Sequence, residues 1–244
     1  MSNTPKNHPR YESLMQRELI EKGIHKGVVT LTGMIAQGRG EAFDYLLGEK
    51  TTPEAKKQIE IAAITLLLAE KPIITVNGNT TALCKKEIAK LAKAINCEIE
   101  INLFYKTPKR IKLIQKEFKE IGLTVLGIKA QKKIPNLTSK RSEVDFEGTW
   151  KADVVLVMLE DGDRTEFLRK MGKKVIAIDL NPFSRTAVKA NISIIDNVIR
   201  AVPLLEKKVK EYSKKDKKWL KNRIKNFSNK DLLRQSESRI RKAR

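Results

Sequence analysis

Residues 72–79, Pro-Ile-Ile-Thr-Val-Asn-Gly-Asn, form a short apolar run that ends in a polar, glycine-containing segment. Downstream of it, segments with helical periodicity alternate with further short apolar runs. The predicted strands after residue 76 are 98–104, 123–128, 154–158, 175–178 and 192–195, and the predicted helices are 82–95, 108–121, 165–171 and about 197–212. Strands that alternate with helices of about 10–15 residues indicate crossover units, and therefore a mostly parallel sheet.

The residues before this run are predicted to be mainly helical. One helix extends from Pro9 to Lys22 with Gly23 as its C-cap, and another occupies residues 41–47. A third begins at residues 52–54, Thr-Pro-Glu, where proline suits the first turn, and reaches about Lys71. The pattern at residues 27–37 is compatible with either a buried helix or a strand.

The sequence therefore predicts an α/β fold, a Rossmann-like, mostly parallel sheet flanked by helices. We expect one globular domain composed of a helical N-terminal region (1–71), the Rossmann-like core (72–205) and a basic helical tail (206–244). The 244 residues, 41% of them hydrophobic, suffice for a packed core and exclude global disorder. No apolar run approaches the roughly 18–20 residues that span a bilayer, so we expect no membrane partner.

Positive charge is concentrated at the end of the chain. The formal net charge is +21, and residues 206–244 contain 16 Lys/Arg against 5 Asp/Glu, a net charge of +11. Two interpretations stay open for this tail. It is either a solvated helical extension of a lysine-rich protein or a surface that attracts nucleic acid. We expect nucleic acid as a partner only through this tail.

The cysteine and histidine content excludes several chemistries. The chain contains Cys84, Cys97, His8 and His25, without a C-x-x-C pair. These residues do not make a convincing zinc site, a disulfide framework or a histidine-based catalytic triad. The first residues, MSNTPKNHPRYES, contain no hydrophobic region typical of a secretion signal, and we expect a cytoplasmic protein.

In a doubly wound sheet, ligands bind outside the carboxyl ends of the strands, where the strand order reverses. Four polar segments follow predicted strands, namely residues 77–79, 105–107, 160–164 and 179–182. A fifth candidate, the glycine-rich segment 33–40, has the spacing G-x-x-x-x-G, but Arg39 and Gly40 replace the lysine and hydroxyl residue of a phosphate loop. This segment is either a phosphate-binding turn that presents Arg39 or a plain turn between two helices.

The segment that begins at Asp179 is the most informative of these. Asp179 closes an apolar strand and is placed to accept hydrogen bonds from ribose hydroxyls, while Ser184 can cap a short helix with Arg185 near its N-terminus. A structural turn with a cap explains the same residues. Residues 160–163 suit either a magnesium site or a helix cap, and residues 77–79 suit either a binding site or a simple turn. The residues alone therefore indicate an anionic, nucleotide-like ligand.

Several long motifs, in order along the chain, carry a resemblance to one family. The segments are 8–14 (HPRYESL), 33–49 (GMIAQGRGEAFDYLLGE), 76–79 (VNGN), 101–104 (INLF), 159–166 (LEDGDRTE) and 178–182 (IDLNP). They resemble the archaeal phosphopantothenate synthetases, also called 4-phosphopantoate–β-alanine ligases. The resemblance extends from about His8 to Leu205 and leaves the basic tail outside. Residues 105–107, Tyr-Lys-Thr, depart slightly from the more basic pattern expected there.

The resemblance implies an ATP-dependent ligase of coenzyme A biosynthesis. It would join the carboxylate of 4-phosphopantoate to the amine of β-alanine through an acyl-adenylate, giving 4'-phosphopantothenate, AMP and pyrophosphate. ATP and Mg²⁺ are the implied co-substrate and cofactor, and a homodimer is the implied assembly. The resemblance assigns no protein nucleophile, because the activated intermediate is formed on the substrate. A nucleotide-binding protein whose basic tail binds nucleic acid, and a regulatory module that binds ATP without turnover, are the alternatives.

The resemblance also assigns site residues. The implied nucleotide contacts are Arg17, Arg39, Asp179, Leu180, Asn181, Arg185, Thr186, Asn197 and Val198. Weaker assignments place Asn77 and Asn79 at the pantoate hydroxyl or carboxyl oxygen, and Lys26, Lys106 and Arg110 at the 4-phosphate. Asp161 or Asp163 would place magnesium or the β-alanine ammonium. Catalytic residues and metal ligands are otherwise left unassigned.

Overall fold

The computed structural model describes residues 4–242, so the ends of the predicted N-terminal region (1–3) and tail (243–244) lie outside the described residues. Its strands are β1 (Pro72–Val76), β2 (Glu98–Ile101), β3 (Lys132–Lys133), β4 (Glu143–Val144), β5 (Val154–Met158), β6 (Lys174–Asp179) and β7 (Ile192–Ile195). Its α-helices are α1 (Tyr11–His25), α2 (Leu31–Leu47), α3 (Pro53–Leu68), α4 (Gly78–Ile95), α5 (Pro108–Lys119), α6 (Gly162–Lys170), α7 (Arg185–Lys189), α8 (Val198–Tyr212), α9 (Lys217–Arg223) and α10 (Asn229–Arg241).

A parallel sheet of five strands forms the centre of the described fold, in the order β2-β1-β5-β6-β7. Strand β1 pairs in parallel with β2 on one side and with β5 on the other, so that Ile74 lies beside both Ile99 and Leu156. The chain therefore winds first one way from β1 and then the other way from β5. This arrangement confirms the predicted α/β class and puts the reversal of strand order between β1 and β5.

Both faces of the sheet are covered, which explains why its central strand is entirely apolar. Alternate residues of β5 belong to different hydrophobic clusters: Leu156 packs with residues of α3, α4 and α8, whereas Val155 and Val157 pack on the opposite face with Leu168 of α6. Side chains of a strand point alternately to its two faces, so a strand buried on both sides contains only apolar residues.

The predicted strand at residues 123–128 is not formed. In its place, Leu126 makes a single bridge with Glu100, and β2 itself ends at Ile101 rather than at residue 104. Gly127 has a left-handed φ of 88°, and a Cβ there would stand 2.4 Å from the carbonyl oxygen of Ile101. The chain therefore turns away from the sheet edge after one bridge, although its apolar pattern is typical of a strand.

Two glycine assignments in the N-terminal region are wrong. Gly23 does not end α1, which continues to His25. It lies inside the helix where a Cβ would stand 2.6 Å from Val29 and 2.9 Å from Ala82, so it allows close packing. Residues 33–40 form neither kind of turn, because α2 continues without interruption from the Thr30 N-cap to Gly48, its left-handed C-cap. Residues 27–37, for which the sequence left helix and strand open, form a turn followed by the first residues of α2.

The basic tail packs on the rest of the molecule instead of extending into solvent. Leu220 of α9 is buried, the side-chain oxygen of Asn229 accepts a hydrogen bond from the backbone of Ser193 in β7, and Arg239 of α10 pairs with Glu54 of α3 at 3.0 Å. The tail thus covers the β7 edge of the sheet. None of the helices in residues 4–242 combines the length and apolar composition needed to cross a membrane.

Replacing Leu220 with alanine tests this packing. We expect the free energy of unfolding to fall by about 2–4 kcal/mol, because the truncation leaves a cavity under the tail. The neighbouring variant Lys221→Ala removes an exposed side chain and should change stability by less than about 0.5 kcal/mol. Urea unfolding followed by circular dichroism measures both. Equal stabilities of the two variants would mean that the tail is not docked.

Candidate active site

A cleft of about 630 Å³ opens at the carboxyl ends of β1, β5 and β6, beside α2. It therefore lies beside the point where the strand order reverses, as expected for this fold. Residues that follow three strands line it, together with one face of α2 and the segment that leads into α5. The predicted residues among its lining are Arg39, Asn77, Asn79, Arg110, Asp161, Asp179, Leu180, Asn181, Arg185 and Thr186.

The two asparagines that follow β1 hold the walls of the cleft together. Asn77 caps α4, and its side-chain amide donates to the carbonyl oxygens of Met158 and Leu159, at 2.9 and 3.2 Å. This amide links β1 to β5 across the reversal point. Asn79 donates to the carbonyl oxygen of Gly33 at 2.8 Å and so links α4 to α2. Both side chains are thus fixed at the base of the cleft.

Glycine at position 78 allows α4 to start close to the neighbouring backbone. A Cβ at Gly78 would stand 2.2 Å from the carbonyl oxygen of Val28 and 2.9 Å from Nη2 of Arg110. A larger residue would therefore displace either the backbone or the arginine. The first turn of α4, whose N-terminus carries a partial positive charge, is brought close to Arg110 in this way.

The turn after β6 is shaped by Asp179. One oxygen of this carboxylate accepts a hydrogen bond from the backbone N–H of Asn181 at 3.0 Å, and the other accepts one from the hydroxyl of Ser184 at 2.6 Å. Burial raises the pKa of Asp179 above its usual value, although these hydrogen bonds and nearby Arg39 oppose the rise. Ser184 caps α7 as predicted. The aspartate therefore serves at least to hold the turn in place.

The other predicted residues near this turn differ in burial and in their bonding partners. Leu180 is buried against α2, in a cluster with Leu47. Thr186 donates to the carbonyl oxygen of Glu160 at 2.8 Å, and Arg185 forms an exposed ion pair with Asp163 at 2.7 Å. A Cβ at residue 162 would stand 2.3 Å from Cβ of Arg185, so Gly162 lets the two cleft segments approach each other.

Arg39 extends from α2 into the cleft as an exposed cation. It makes no ion pair with another described residue, although Asp179 is close enough to interact with its charge. Because its guanidinium is not bound to a carboxylate, Arg39 is available to an anionic ligand. The glycine-rich stretch thus presents the predicted arginine, but from the side of a helix instead of a turn.

A buried network of arginines and carboxylates, not predicted from the sequence, forms the wall beside β5. Arg164 is completely buried and donates to Glu160 at 2.9 Å, and the other oxygen of Glu160 lies 2.5 Å from Arg141. Nε of Arg141 lies 2.7 Å from Asp161, although the two atoms are not aligned as a hydrogen bond. Arg141 and Glu160 both line the cleft.

Arg110 is the other cation of this wall. Its Nη1 donates to the carbonyl oxygen of Tyr105 at 2.6 Å, and its Nη2 donates to that of Val28 at 2.9 Å. Burial lowers the pKa of Arg110, and the charge of Arg141 lowers it further. Two guanidinium groups thus lie close to each other at one end of the cleft.

Six predicted site residues do not line the cleft, one of them Asp163, which pairs with Arg185. Arg17 pairs with Glu41 at 2.6 Å, Lys26 pairs with Glu117 at 2.7 Å, and Lys106 pairs with Glu143 at 3.2 Å. Asn197 is buried and donates to Asp44 at 2.8 Å, and Val198 follows it as the first residue of α8. Of the three cations predicted to bind the 4-phosphate, Arg110 alone lines the cleft in the described part of the chain.

The acidic residues of the cleft do not form a protein metal site by themselves. Asp161 caps α6 and lies beside Arg141, while Asp163 pairs with Arg185. Residues 4–242 contain no group of three or more histidine, cysteine, aspartate or glutamate side chains arranged to hold a metal ion. Magnesium in this cleft would therefore need phosphate oxygens and water as most of its ligands.

Comparisons with known proteins identify the family of the chain. The profile of a family described as phosphopantothenate/pantothenate synthetase matches residues 54–243. This range includes the basic tail, so the resemblance does not end near Leu205 as expected from the motifs. The tail helices that pack on α3 and β7 are part of the matched region.

Archaeal relatives match most of the chain. A protein of Thermococcus kodakarensis is 51% identical over 221 residues, which cover 88% of this chain and 85% of the relative. A protein of Thermococcus onnurineus is 52% identical over 219 residues, 88% of this chain and 84% of the relative. A protein of Methanosarcina mazei is 45% identical over 241 residues, 98% of this chain and 95% of the relative. All three are named 4-phosphopantoate–β-alanine ligase.

Proposed function

Since the chain belongs to the phosphopantothenate/pantothenate synthetase family, we propose that it acts as a ligase of coenzyme A biosynthesis that condenses 4-phosphopantoate with β-alanine. The observation that carries the proposal is the charge of the cleft at the reversal point. Its cations include Arg39 and Arg110, which form no ion pair with another described residue, and Arg141, which pairs with Glu160. Its lining holds no serine–histidine or cysteine–histidine pair. Such a site suits a reaction between two anions better than attack by a protein nucleophile.

ATP is the co-substrate in this proposal, and its binding region is the β6 side of the cleft. Arg39 would neutralise phosphate oxygens, with Arg185 as a second cation once it leaves Asp163. The turn held by Asp179 would present Asn181 and backbone groups to the ribose or adenine. We also propose Arg17, Asn197 and Val198 as contacts of the nucleotide. Arg17 would first have to exchange Glu41 for the nucleotide.

The proposed chemistry is activation of a carboxylate by adenylation. A carboxylate oxygen of 4-phosphopantoate attacks the α-phosphorus of ATP, the bond to the β-phosphate oxygen breaks, and pyrophosphate leaves. The amine of β-alanine then attacks the acyl carbon, loses a proton and expels AMP. The cleft has to bring two anions together against their repulsion, which is the work of its arginines. Magnesium, bound with the nucleotide, would supply further charge neutralisation on the phosphates.

The direct experiment is an omission series with the purified full chain, ATP, Mg²⁺, 4-phosphopantoate and β-alanine. We expect 4'-phosphopantothenate and AMP in equal amounts only in the complete mixture, measured by liquid chromatography and mass spectrometry. Formation of ADP in place of AMP would keep a ligase but contradict the adenylate. A well-folded protein that cleaves no nucleotide would contradict the proposed function.

We also propose a homodimer that forms through α2. Three apolar side chains spaced along one side of this helix are largely exposed, namely Leu31 at 63%, Ile35 at 68% and Tyr45 at 73%. A second copy of α2 would present the same apolar side chains. A symmetric contact between the two copies would therefore bury this exposed face in both protomers. We expect light scattering to give twice the mass of the chain, 27.8 kDa, and Ile35→Glu to halve it. A monomeric native protein would contradict this proposal.

A further inference from the structure

A second cavity, separate from the cleft, is lined mainly by lysines. It has a volume of about 790 Å³ and lies between the start of α5 and the two-stranded sheet of β3 and β4. Its lining shares no residue with that of the cleft. The lysines of this cavity, which we call the lysine groove, are Lys106, Lys112, Lys129, Lys132, Lys133 and Lys140. Its volume falls within the range of roughly 300–1,000 Å³ that is typical of small-molecule sites.

The charge of the lysine groove is not neutralised by the described part of the protein. Glu143 is the single acidic residue of the lining, and its two oxygens are shared between Lys106 at 3.2 Å and Lys140 at 3.3 Å. The lysines that form no ion pair with another described residue are Lys112, Lys129, Lys132 and Lys133. Like charges around one cavity repel each other, and an anion that enters the cavity relieves this repulsion.

Lys106 supplies a second observation, because it is a buried cation with incomplete bonding. Its side chain is only 8% exposed, and its Nζ makes no aligned hydrogen bond although Glu143 is near. An ammonium group has three N–H donors, and burying them without acceptors is costly. A buried donor that lacks a partner beside a cavity points to a ligand that supplies acceptor atoms.

Phosphate oxygens suit this arrangement better than a carboxylate does. The lining contains no arginine, whose planar fork matches a carboxylate, and its lysines are compact charges that reach the groove from three segments of the chain. Helix α5 also begins at the groove, where Thr107 caps it, and its N-terminus adds a partial positive charge. Four lysines without a carboxylate partner match the several negative charges of linked phosphates.

We propose that the lysine groove binds a di- or triphosphate group, carried by a nucleotide or present as an inorganic oligophosphate. The phosphates would lie among Lys112, Lys129 and Lys132. Ile128, which is 38% exposed, and Ile111 offer an apolar surface to a nucleobase. This site is independent of the proposed ligase reaction, because its lining residues are not those of the cleft.

The test follows the fluorescence of Trp150. Nζ of Lys132 lies 5.5 Å from the ring centroids of both Phe146 and Trp150, so a phosphate that binds Lys132 should draw the ammonium away and change the emission. Trp219 is the other tryptophan of the chain, and Trp219→Phe removes its signal. In this full-length variant at low salt, we expect saturable titrations with pyrophosphate and with ADP. Tighter binding of ADP identifies a nucleotide ligand, and equal or weaker binding of ADP identifies an inorganic one.

Two double variants in the same background separate the groove from general charge. Lys112→Gln with Lys129→Gln should weaken binding at least about tenfold, because two charged donors are lost. Lys116→Gln with Lys119→Gln removes the same charge from exposed positions of α5 outside the groove and should change binding by less than about twofold.

Arg39→Ala removes a cation of the cleft and should leave the Trp150 titration unchanged, whatever it does to ligase activity. Circular dichroism verifies that each variant folds. Three results would overturn the inference: no change in Trp150 emission at millimolar pyrophosphate and ADP, equal weakening in the two double variants, or loss of the titration in Arg39→Ala.

Discussion

Replacing Arg39 with alanine is expected to lower kcat/KM for ATP by about 100- to 1000-fold while leaving the stability of the protein unchanged. The loss follows from the proposed role of Arg39 in neutralising charge that develops on the phosphates, where one positioned donor contributes a factor of this size. Stability should be unaffected because Arg39 is exposed and makes no ion pair with another described residue. Steady-state kinetics and thermal unfolding measure the two quantities.

The matched control is Arg234→Ala, which removes an exposed arginine from α10, away from the cleft. It should keep wild-type kinetics. Arg39→Lys retains the charge but loses the planar fork, so it should fall between wild type and Arg39→Ala. A folded Arg39→Ala enzyme with unchanged kinetics would remove Arg39 from the nucleotide site.

Replacing Arg200 with methionine is expected to give the largest loss of stability. Arg200 bridges Asp44 at 2.5 Å and Asp196 at 2.8 Å, and both carboxylates are almost completely buried. Removing the cation leaves two buried carboxylates without a cationic partner, which costs about 3–5 kcal/mol. Asp44 also accepts a hydrogen bond from Asn197, so the change disturbs the start of α8 as well. Chemical unfolding at pH 8 gives the magnitude.

Arg223→Met serves as the comparison, because Arg223 pairs with Glu60 at 2.6 Å on the surface and should contribute only about 0–1 kcal/mol to the free energy of unfolding.

The loss of stability caused by Arg200→Met should also be smaller at pH 5 than at pH 8. Burial already raises the pKa of Asp196 in the wild type, and loss of Arg200 raises it further. A carboxyl group with a raised pKa in the folded state binds protons better there than when unfolded, so acidification favours folding. A deficit that grows at pH 5 would contradict this explanation.

The fold was largely predictable because its signals are local. The strands β1, β5, β6 and β7 are short apolar runs, and their order along the chain implies a parallel sheet. Where prediction failed, a contact distant in sequence decides the backbone. Gly127 turns the chain away from the edge strand against Ile101, and Gly23 allows Val29 and Ala82 to pack against α1 instead of ending this helix. Periodicity does not contain that information.

The site was predictable only in part, for a similar reason. Segments that follow strands necessarily meet at one edge of the sheet, and this placed Asn77 and Asp179 beside the cleft. Arg141 escaped prediction because it comes from a polar loop with no motif, and only the fold brings it to Glu160. Spacing offered one signal: Glu160 and Arg164 are four residues apart, the separation of a helical ion pair.

The central claim is that one cleft brings the carboxylate of 4-phosphopantoate to the α-phosphate of ATP. The most direct measurement uses 4-phosphopantoate with ¹⁸O in its carboxylate and follows the label by mass spectrometry during turnover with β-alanine. We predict that one labelled oxygen appears in each AMP, because the carboxylate oxygen becomes bonded to the α-phosphorus and leaves with it. Label in inorganic phosphate, with unlabelled nucleotide, would contradict the account.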